Sequence, residues 1–296
     1  MPRDVTGDMT YDLPLDNWLR REELIVNVAL TGCVHSKEQN PALPVTPEEI
    51  AADARRCADQ GASIFHVHAR DKEGRPTMDY QPVQEAVDGV REAVPGAIVC
   101  VSCSGRHDYE LIGRTPGLYL EKNAEMASLT LGSYNSFANV IVNPPDVIWS
   151  LAILMQVRGI MPELECFEIG HIGHAHYLIS EGVLQPPYWF NLFLGNHGTM
   201  PAMRWGLINM RGLLPGLSIW AGTGIGRHQY QVNQWAVNLG GQVRVGMEDS
   251  LWMDSQKEDP ATNPRQVERI VAYAKGKGRE PVSIERAREI LGMEAV

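Results

Sequence analysis

No apolar run in the 296 residues approaches the roughly 18 that a membrane span requires, so the chain reads as a soluble globular protein. Its opening, MPRDVTGDMTYDLPLDNWLRREE, has no apolar core of the signal-peptide kind, and the expected compartment is the cytoplasm. Cysteine is scarce and odd in number. Cys33, Cys57, Cys100, Cys103 and Cys166 are scattered, mostly inside apolar segments, which suits reduced buried thiols better than a disulfide framework. Basic blocks are missing as well. With 26 Lys and Arg against 36 Asp and Glu, a net charge of -10 and a pI near 5.4, the chain has no nucleic-acid footprint. An anionic ligand would need a local basic pocket. There is no internal repeat, low-complexity tract or linker.

What the chain does have is alternation. Short apolar runs at residues 24–30, 62–68, 97–102, 126–131, 163–169, 189–194, 217–222 and 242–247 are separated by segments of helical spacing, the pattern of βαβ units on a parallel sheet. In TPEEIAADARRCADQGA, Thr46 is the expected N-cap, Pro47 the first helical residue and Gly61 the stop. In NPPDVIWSLAILMQVRG, Asn143 is the expected cap and Gly159 the end. Eight such units predict a (β/α)8 TIM barrel, in one domain over residues 24–296 behind an N-terminal extension of residues 1–23. An open doubly wound sheet is the runner-up, because periodicity alone does not show closure.

Barrel enzymes do their chemistry at the C-terminal ends of the strands, so polar residues closing an apolar run are the ones to inspect. They include His66 and His68, Ser102 and Ser104, Ser128 and Thr130, Glu165 and Glu168, and Arg244 followed by Glu248 and Asp249. Two residues apart on a strand, His66 and His68 share a face and can converge on one ion. Arg70 continues the alternation toward the barrel mouth. A catalytic zinc needs a third protein ligand, and Glu248 is the candidate, on a strand end that closure brings beside strands 1 and 2. Two imidazoles and a carboxylate suit Zn2+ best, with Mn2+ or Fe2+ as alternatives. The plainer reading is two histidines bonded to nearby carbonyls.

Three further motifs compete. GHIGHAHY holds His171, His174 and His176, in a spacing that fits neither a strand pair nor the helical pair of zincins, and one of them is a candidate substrate contact. CVSC has CxxC spacing at Cys100 and Cys103 but no second pair, and an extended strand points the two to opposite faces. GTGIGRHQ follows a strand and precedes a helix, so its amides, with Gly226 and Arg227, are a candidate site for an anion such as a phosphate.

Taken together, HVHARDKEGRP, PELECFE, AGTGIGR and GGQVRVGMEDS resemble the β-keto acid cleavage enzymes, a family of zinc-dependent (β/α)8 barrels, from about residue 25 to 292. The resemblance implies a retro-Claisen exchange in which a 3-keto acid and acetyl-CoA give acetoacetate and a new acyl-CoA. It implies His66, His68 and Glu248 as zinc ligands, Asp249 as the base that takes the α-proton, and Arg244 as its basic partner. Ser104, Ser128 and Glu165 match polar positions of the family's pocket, with Ser102 a competing match because VSCSGRH departs from the usual Ser-Thr-Gly-Gly pattern. A homo-oligomer, with a tetramer plausible, is also implied, in keeping with seven tryptophans.

One departure bears on substrate. After ALTG, members with cationic substrates carry a glutamate where this chain reads CVHS, with Val34 at that place and His35 after it. A neutral or anionic acyl tail is the expectation, and His35 and Arg106 are available to an anionic one. Three other classes remain in view at this stage: an amidohydrolase-like metal hydrolase, a class II zinc aldolase, and a non-catalytic metal-binding barrel. The first places its histidine pair on the first strand, the second needs a sugar-phosphate site, and the third leaves Asp249 without a purpose.

Overall fold

A computed structural model describes residues 22–106, 110–137 and 139–295. The expected extension of residues 1–23 lies outside that range apart from its last two residues. Eight parallel strands, β1 (Val26–Ala29), β2 (Ile64–Val67), β3 (Ile98–Val101), β4 (Met126–Thr130), β5 (Met161–Cys166), β6 (Tyr188–Leu194), β7 (Ser218–Gly224) and β8 (Gln242–Val245), pair in sequence order. The sheet closes where Val243, Arg244 and Val245 of β8 pair with Val26, Asn27 and Val28 of β1. That pairing excludes the open doubly wound alternative. Each of the eight apolar runs supplies one strand. The first run is interrupted: Glu23 and Leu24 pair instead with Glu280 and Pro281, and the Ile25 amide donates to the Gln242 side chain at 2.7 Å.

Helices follow the strands in turn: α1 (Pro47–Asp59), α2 (Tyr80–Ala93), a short α3 (Leu111–Arg114), α4 (Pro145–Arg158), α5 (Ile169–Ser180), α6 (Arg204–Gly212), α7 (Gln229–Asn238) and α8 (Asn263–Lys275). α1 begins as expected, with Thr46 and Glu49 capping each other reciprocally. α4 does not. Its N-cap is Pro144, one residue later than expected, and the Asn143 side chain instead donates to the Gly132 carbonyl at 3.0 Å.

Strand alternation sorts the side chains into two cores. Val28, Phe65, Val67, Val99, Val101 and Leu129 point outward against the helices, whereas Ile25, Ile64, Ile98, Met126, Trp189 and Ile219 fill the bottom of the barrel. A further helix, α9 (Ile284–Ile290), presses Ala287 and Ile290 onto that floor. Above the floor, the interior turns polar.

The polar end is held by close backbone contact between the first and last strands. Gly246 leaves β8 at φ +141°, and a Cβ there would lie 2.0 Å from the Ala29 carbonyl oxygen. The same oxygen accepts the Glu248 amide at 3.2 Å, so this contact sets where Glu248 begins. Gly246→Ala is therefore expected to lower the free energy of unfolding by about 3 kcal/mol or more, from backbone strain and steric overlap together. Urea denaturation measures it, and a midpoint equal to that of the parent would refute the close-contact account.

Candidate active site at the barrel mouth

β2 delivers His66 and, just past its end, His68, while the turn after β8 delivers Glu248. The three meet. His66 Nε2 lies 3.2 Å from His68 Nε2 and 3.7 Å from Glu248 Oε2, and His68 Nε2 lies 3.2 Å from Glu248 Oε1. Glu248 Oε2 is buried without a hydrogen-bond partner, which leaves an acceptor aimed at the same small volume as the two imidazoles. Behind His66 stands Glu163 of β5, 2.7 Å from Nδ1. A second group of donors, His66, Cys100 and Glu163, lies close enough to hold an ion, so the barrel presents two overlapping candidate metal sites.

Arg244 of β8 ties the acids together. It is fully buried, with guanidinium nitrogens 3.1 Å from Asp249, 3.1 Å from Glu248, 3.4 Å from Glu163 and 3.6 Å from Glu165. Its carbon sits 5.0 Å from the centre of the Phe193 ring. One guanidinium cannot balance four carboxylates, so a divalent cation fits the charge of the site as well as its donor set. The environment separates the acids. Burial opposes charge on Glu248, but His68, Arg244 and His66 outweigh it and hold the carboxyl well below its ordinary range. Burial pushes Asp249 up to about 6, with Arg244 working against the rise and Glu248 adding to it. Glu165 rises to about 7 by burial, against Arg244 and reinforced by Glu163. Two carboxyls adjacent in sequence are thus pushed in opposite directions, Glu248 down and Asp249 up.

The remaining sequence candidates fall into two groups. Ser102, Ser104, Ser128 and Glu165 all line the cavity above His66, and Thr130 donates to Glu165 at 2.6 Å. Ser128 accepts from the Cys103 amide and Ser102 from the Ser104 amide, so both hydroxyls also brace the loop after β3. Glu168 stands apart, at the N-cap of α5. Arg70 does not line the cavity and donates to the carbonyls of Gly32 and His35, pinning the loop that carries Val34. Cys100 faces into the barrel and Cys103 outward, as strand geometry requires. Cys33 is the exception to the buried thiols: it is partly exposed and lines the cavity.

The competing histidines are structural. All three lie on α5, where the His171 Nδ1 accepts from the Phe167 amide, His174 bonds the Leu131 carbonyl and His176 the Leu213 carbonyl. None of them lines the cavity. The expectation that the amides of GTGIGRHQ face an anion is also corrected. Those of Ile225, Gly226 and His228 donate to Leu194, Asp249 and Ile225, which leaves the Arg227 side chain as the available charge. Glu163, Asn27 and Asn191 lie within their strands and do not close them, so a search of strand ends misses them. Their signal was the two-residue period itself, since Glu163 shares a face with Glu165 one step deeper.

The cavity over the histidines, about 320 Å³, opens into a larger one of about 1070 Å³ lined by Arg227, Trp252 and Lys257. His35, Phe137, Asn196, Ile225 and Asp249 line both. Fold and site together define a (β/α)8-barrel enzyme with a candidate metal centre at the C-terminal mouth. Residues 23–293 match the family model of the beta-keto acid cleavage enzymes, and the chain belongs to that family. It is an enzyme that cleaves a carbon–carbon bond of a β-keto acid.

Relatives agree with this placement. The 3-keto-5-aminohexanoate cleavage enzyme of Fusobacterium nucleatum is 36% identical over 277 residues, 92% of this chain and 99% of that protein. The 3-oxoadipate:acetyl-CoA acetyltransferase of Cupriavidus necator is 32% identical over 276 residues, 92% of this chain and 95% of that protein. Among solved structures, apo ObcA superposes with a TM-score of 0.76 at 20% identity over 86% of this chain, a likeness of fold. This chain spans 66% of ObcA.

Proposed function

We propose that the protein is a zinc-dependent acyltransferase that converts a 3-keto acid and acetyl-CoA into acetoacetate and a new acyl-CoA. The observation that carries this reading is the position of Asp249, on the wall shared by the small and the large cavity. A keto acid seated over His66 and His68 and a thioester entering through the larger cavity would meet beside its carboxylate. Asp249 takes a proton from C2 of the keto acid, and the resulting carbanion displaces the CoA thiolate from acetyl-CoA, forming a carbon–carbon bond. The thiolate then attacks the original keto carbon and breaks its bond to C2. Acyl-CoA leaves, and the proton returns to give acetoacetate. A pKa raised to about 6 suits Asp249 to both transfers, and Arg244 holds its carboxylate in place.

His66, His68 and Glu248 are the residues that would hold the ion, which supplies Lewis acidity toward the keto and carboxylate oxygens when bound. Zinc is supported by the donor set. The two imidazole nitrogens, 3.2 Å apart, are close enough to share one ion, and two imidazoles with a carboxylate are a donor set that suits zinc. Arg227 beside Gly226, together with Lys257, gives the larger cavity positive charge for the phosphates of CoA. The same reading takes the cytoplasm as compartment and a homo-oligomer, a tetramer in the simplest case, as the assembly. Among the described residues, no helix is long and apolar enough to cross a membrane.

Two near-equal relatives are named for an amino-tailed and a dicarboxylic keto acid, so identity alone does not choose the tail. Side chains do. At the outer end of the small cavity stand Val34, Arg106, Ser136 and Asn139, with no acid among the described residues there, and Arg106 donates to Ser136 at 3.4 Å. An ammonium would lie unpaired against Val34, whereas a neutral or anionic tail would not.

Three outcomes test the reading. Purified protein is expected to carry about one zinc per chain, and His66→Ala, His68→Ala or Glu248→Ala to lose metal and activity together. Full metal in all three, with loss on changing His171 or His174, would move the site to α5. Asp249→Asn is expected to keep zinc while kcat/KM drops by about 100- to 10,000-fold, and activity within a few-fold of the parent removes Asp249 as the base. Val34→Glu is expected to shift kcat/KM toward a cationic 3-keto acid and away from an anionic one, by about tenfold or more each way. A parent enzyme that already prefers the cationic substrate would refute the tail assignment.

A further inference from the structure

We infer that Glu163 is a positioning residue, which fixes His66 in a single orientation and tautomer with Nδ1 donating to its carboxylate and Nε2 left bare toward His68 and Glu248. The inference rests on the reading of His66, His68 and Glu248 as metal ligands.

Glu163 is completely buried and does not line the cavity, so it touches neither substrate nor solvent. Its oxygens are nonetheless crowded with donors. Oε1 accepts from Asn27 at 2.6 Å and from Asn191 at 2.7 Å. Oε2 faces His66 Nδ1 at 2.7 Å, the Cys100 thiol at 3.3 Å and the Arg244 guanidinium at 3.4 Å. A carboxylate offers about four lone-pair sites, and these five donors saturate it.

Two consequences follow from that saturation. Glu163 has no acceptor to spare for an ion, which turns the overlapping donor group of His66, Cys100 and Glu163 into the support of the other one. A carboxylate that only accepts also requires a proton on Nδ1 of His66. A neutral imidazole has one ring proton, so Nε2 carries a lone pair, 3.2 Å from His68 Nε2. The two asparagines show how strongly the carboxylate is held. Asn27 Oδ1 and Asn191 Oδ1 are both buried without a partner, so each amide leaves its carbonyl unsatisfied while its NH2 grips Glu163. Three strands, β1, β5 and β6, thereby fix the group that aims a side chain of a fourth.

The test measures metal affinity and imidazole state rather than turnover. Zinc dissociation constants are read by chelator competition on the purified protein and on Glu163→Gln, Cys100→Ala and His68→Ala. Glu163→Gln is expected to weaken zinc by about 10- to 100-fold, the effect of losing an outer-shell carboxylate, and Cys100→Ala by no more than about twofold. Nitrogen-15 NMR of histidine-labelled, zinc-loaded wild-type protein is expected to show a proton on Nδ1 of His66 and none on Nε2, with His66→Ala identifying the signal. That measurement stands even if Glu163→Gln fails to fold. Unchanged affinity in folded Glu163→Gln, or a His66 Nδ1 without its proton, overturns the inference. So does metal loss in Cys100→Ala to the level of His68→Ala, which would make Glu163 and Cys100 ligands. If His68→Ala itself retains zinc fully, the metal reading fails first, and the two failures are told apart.

Discussion

A guanidinium enclosed in the middle of a barrel is the constraint on which the rest of this site depends. Arg244 has no water to neutralise it, so it draws carboxylates from β5 and from the turn after β8. Charges taken out of water are tolerated only when paired and hydrogen-bonded. Its planar fork reaches several acids at once, which a lysine in that place could not do. The acids so gathered end up in different states because their other neighbours differ. Glu248 looks onto two imidazoles, Asp249 onto a wall shared by two cavities, and Glu163 onto a ring of neutral donors.

The barrel makes this arrangement affordable by dividing its interior. Below, isoleucines, Met126 and Trp189 form a dry floor closed by α9. Above, polar residues occur at the same inward positions of the same strands, so the change from core to active site takes place within two or three residues. Ile64 and His66, or Ile25 and Asn27, stand one pleat apart on one face. The apolar floor supplies the burial that a polar upper half cannot, and its rigidity carries over to the polar side chains above it.

Loops complete what the strands begin. Gly246 brings the end of β8 onto the Ala29 carbonyl, and Gly32 leaves room for the Glu248 side chain, whose Cγ lies 2.6 Å from where a Cβ would be. Arg70 holds the Gly32 and His35 carbonyls, which fixes the loop bearing Val34. The loop bearing Val34 is thus braced separately from the strand that carries His66. Substrate tail and chemistry can change independently on such a plan.

Much of this was legible in the sequence, because the relevant signals are local. Eight apolar runs with intervening helical spacing specify strands and helices, and a two-residue period places His66 and His68 on one face without any knowledge of the neighbours. Adjacency in the chain equally forces Glu248 and Asp249 into one turn. Closure of the sheet was not legible from periodicity, since it depends on the pairing of β8 with β1 across more than two hundred residues. Nor was the choice between the two histidine clusters, which turns on whether a free ring nitrogen meets a carboxylate or a backbone carbonyl. Nor was the role of Glu163 legible, for the same reason. Its pattern in the chain is that of any inward residue, and only the assembled barrel puts Asn27, Asn191, Arg244 and His66 around it. Chain geometry decides which side chains face inward; long-range packing decides which of them meet.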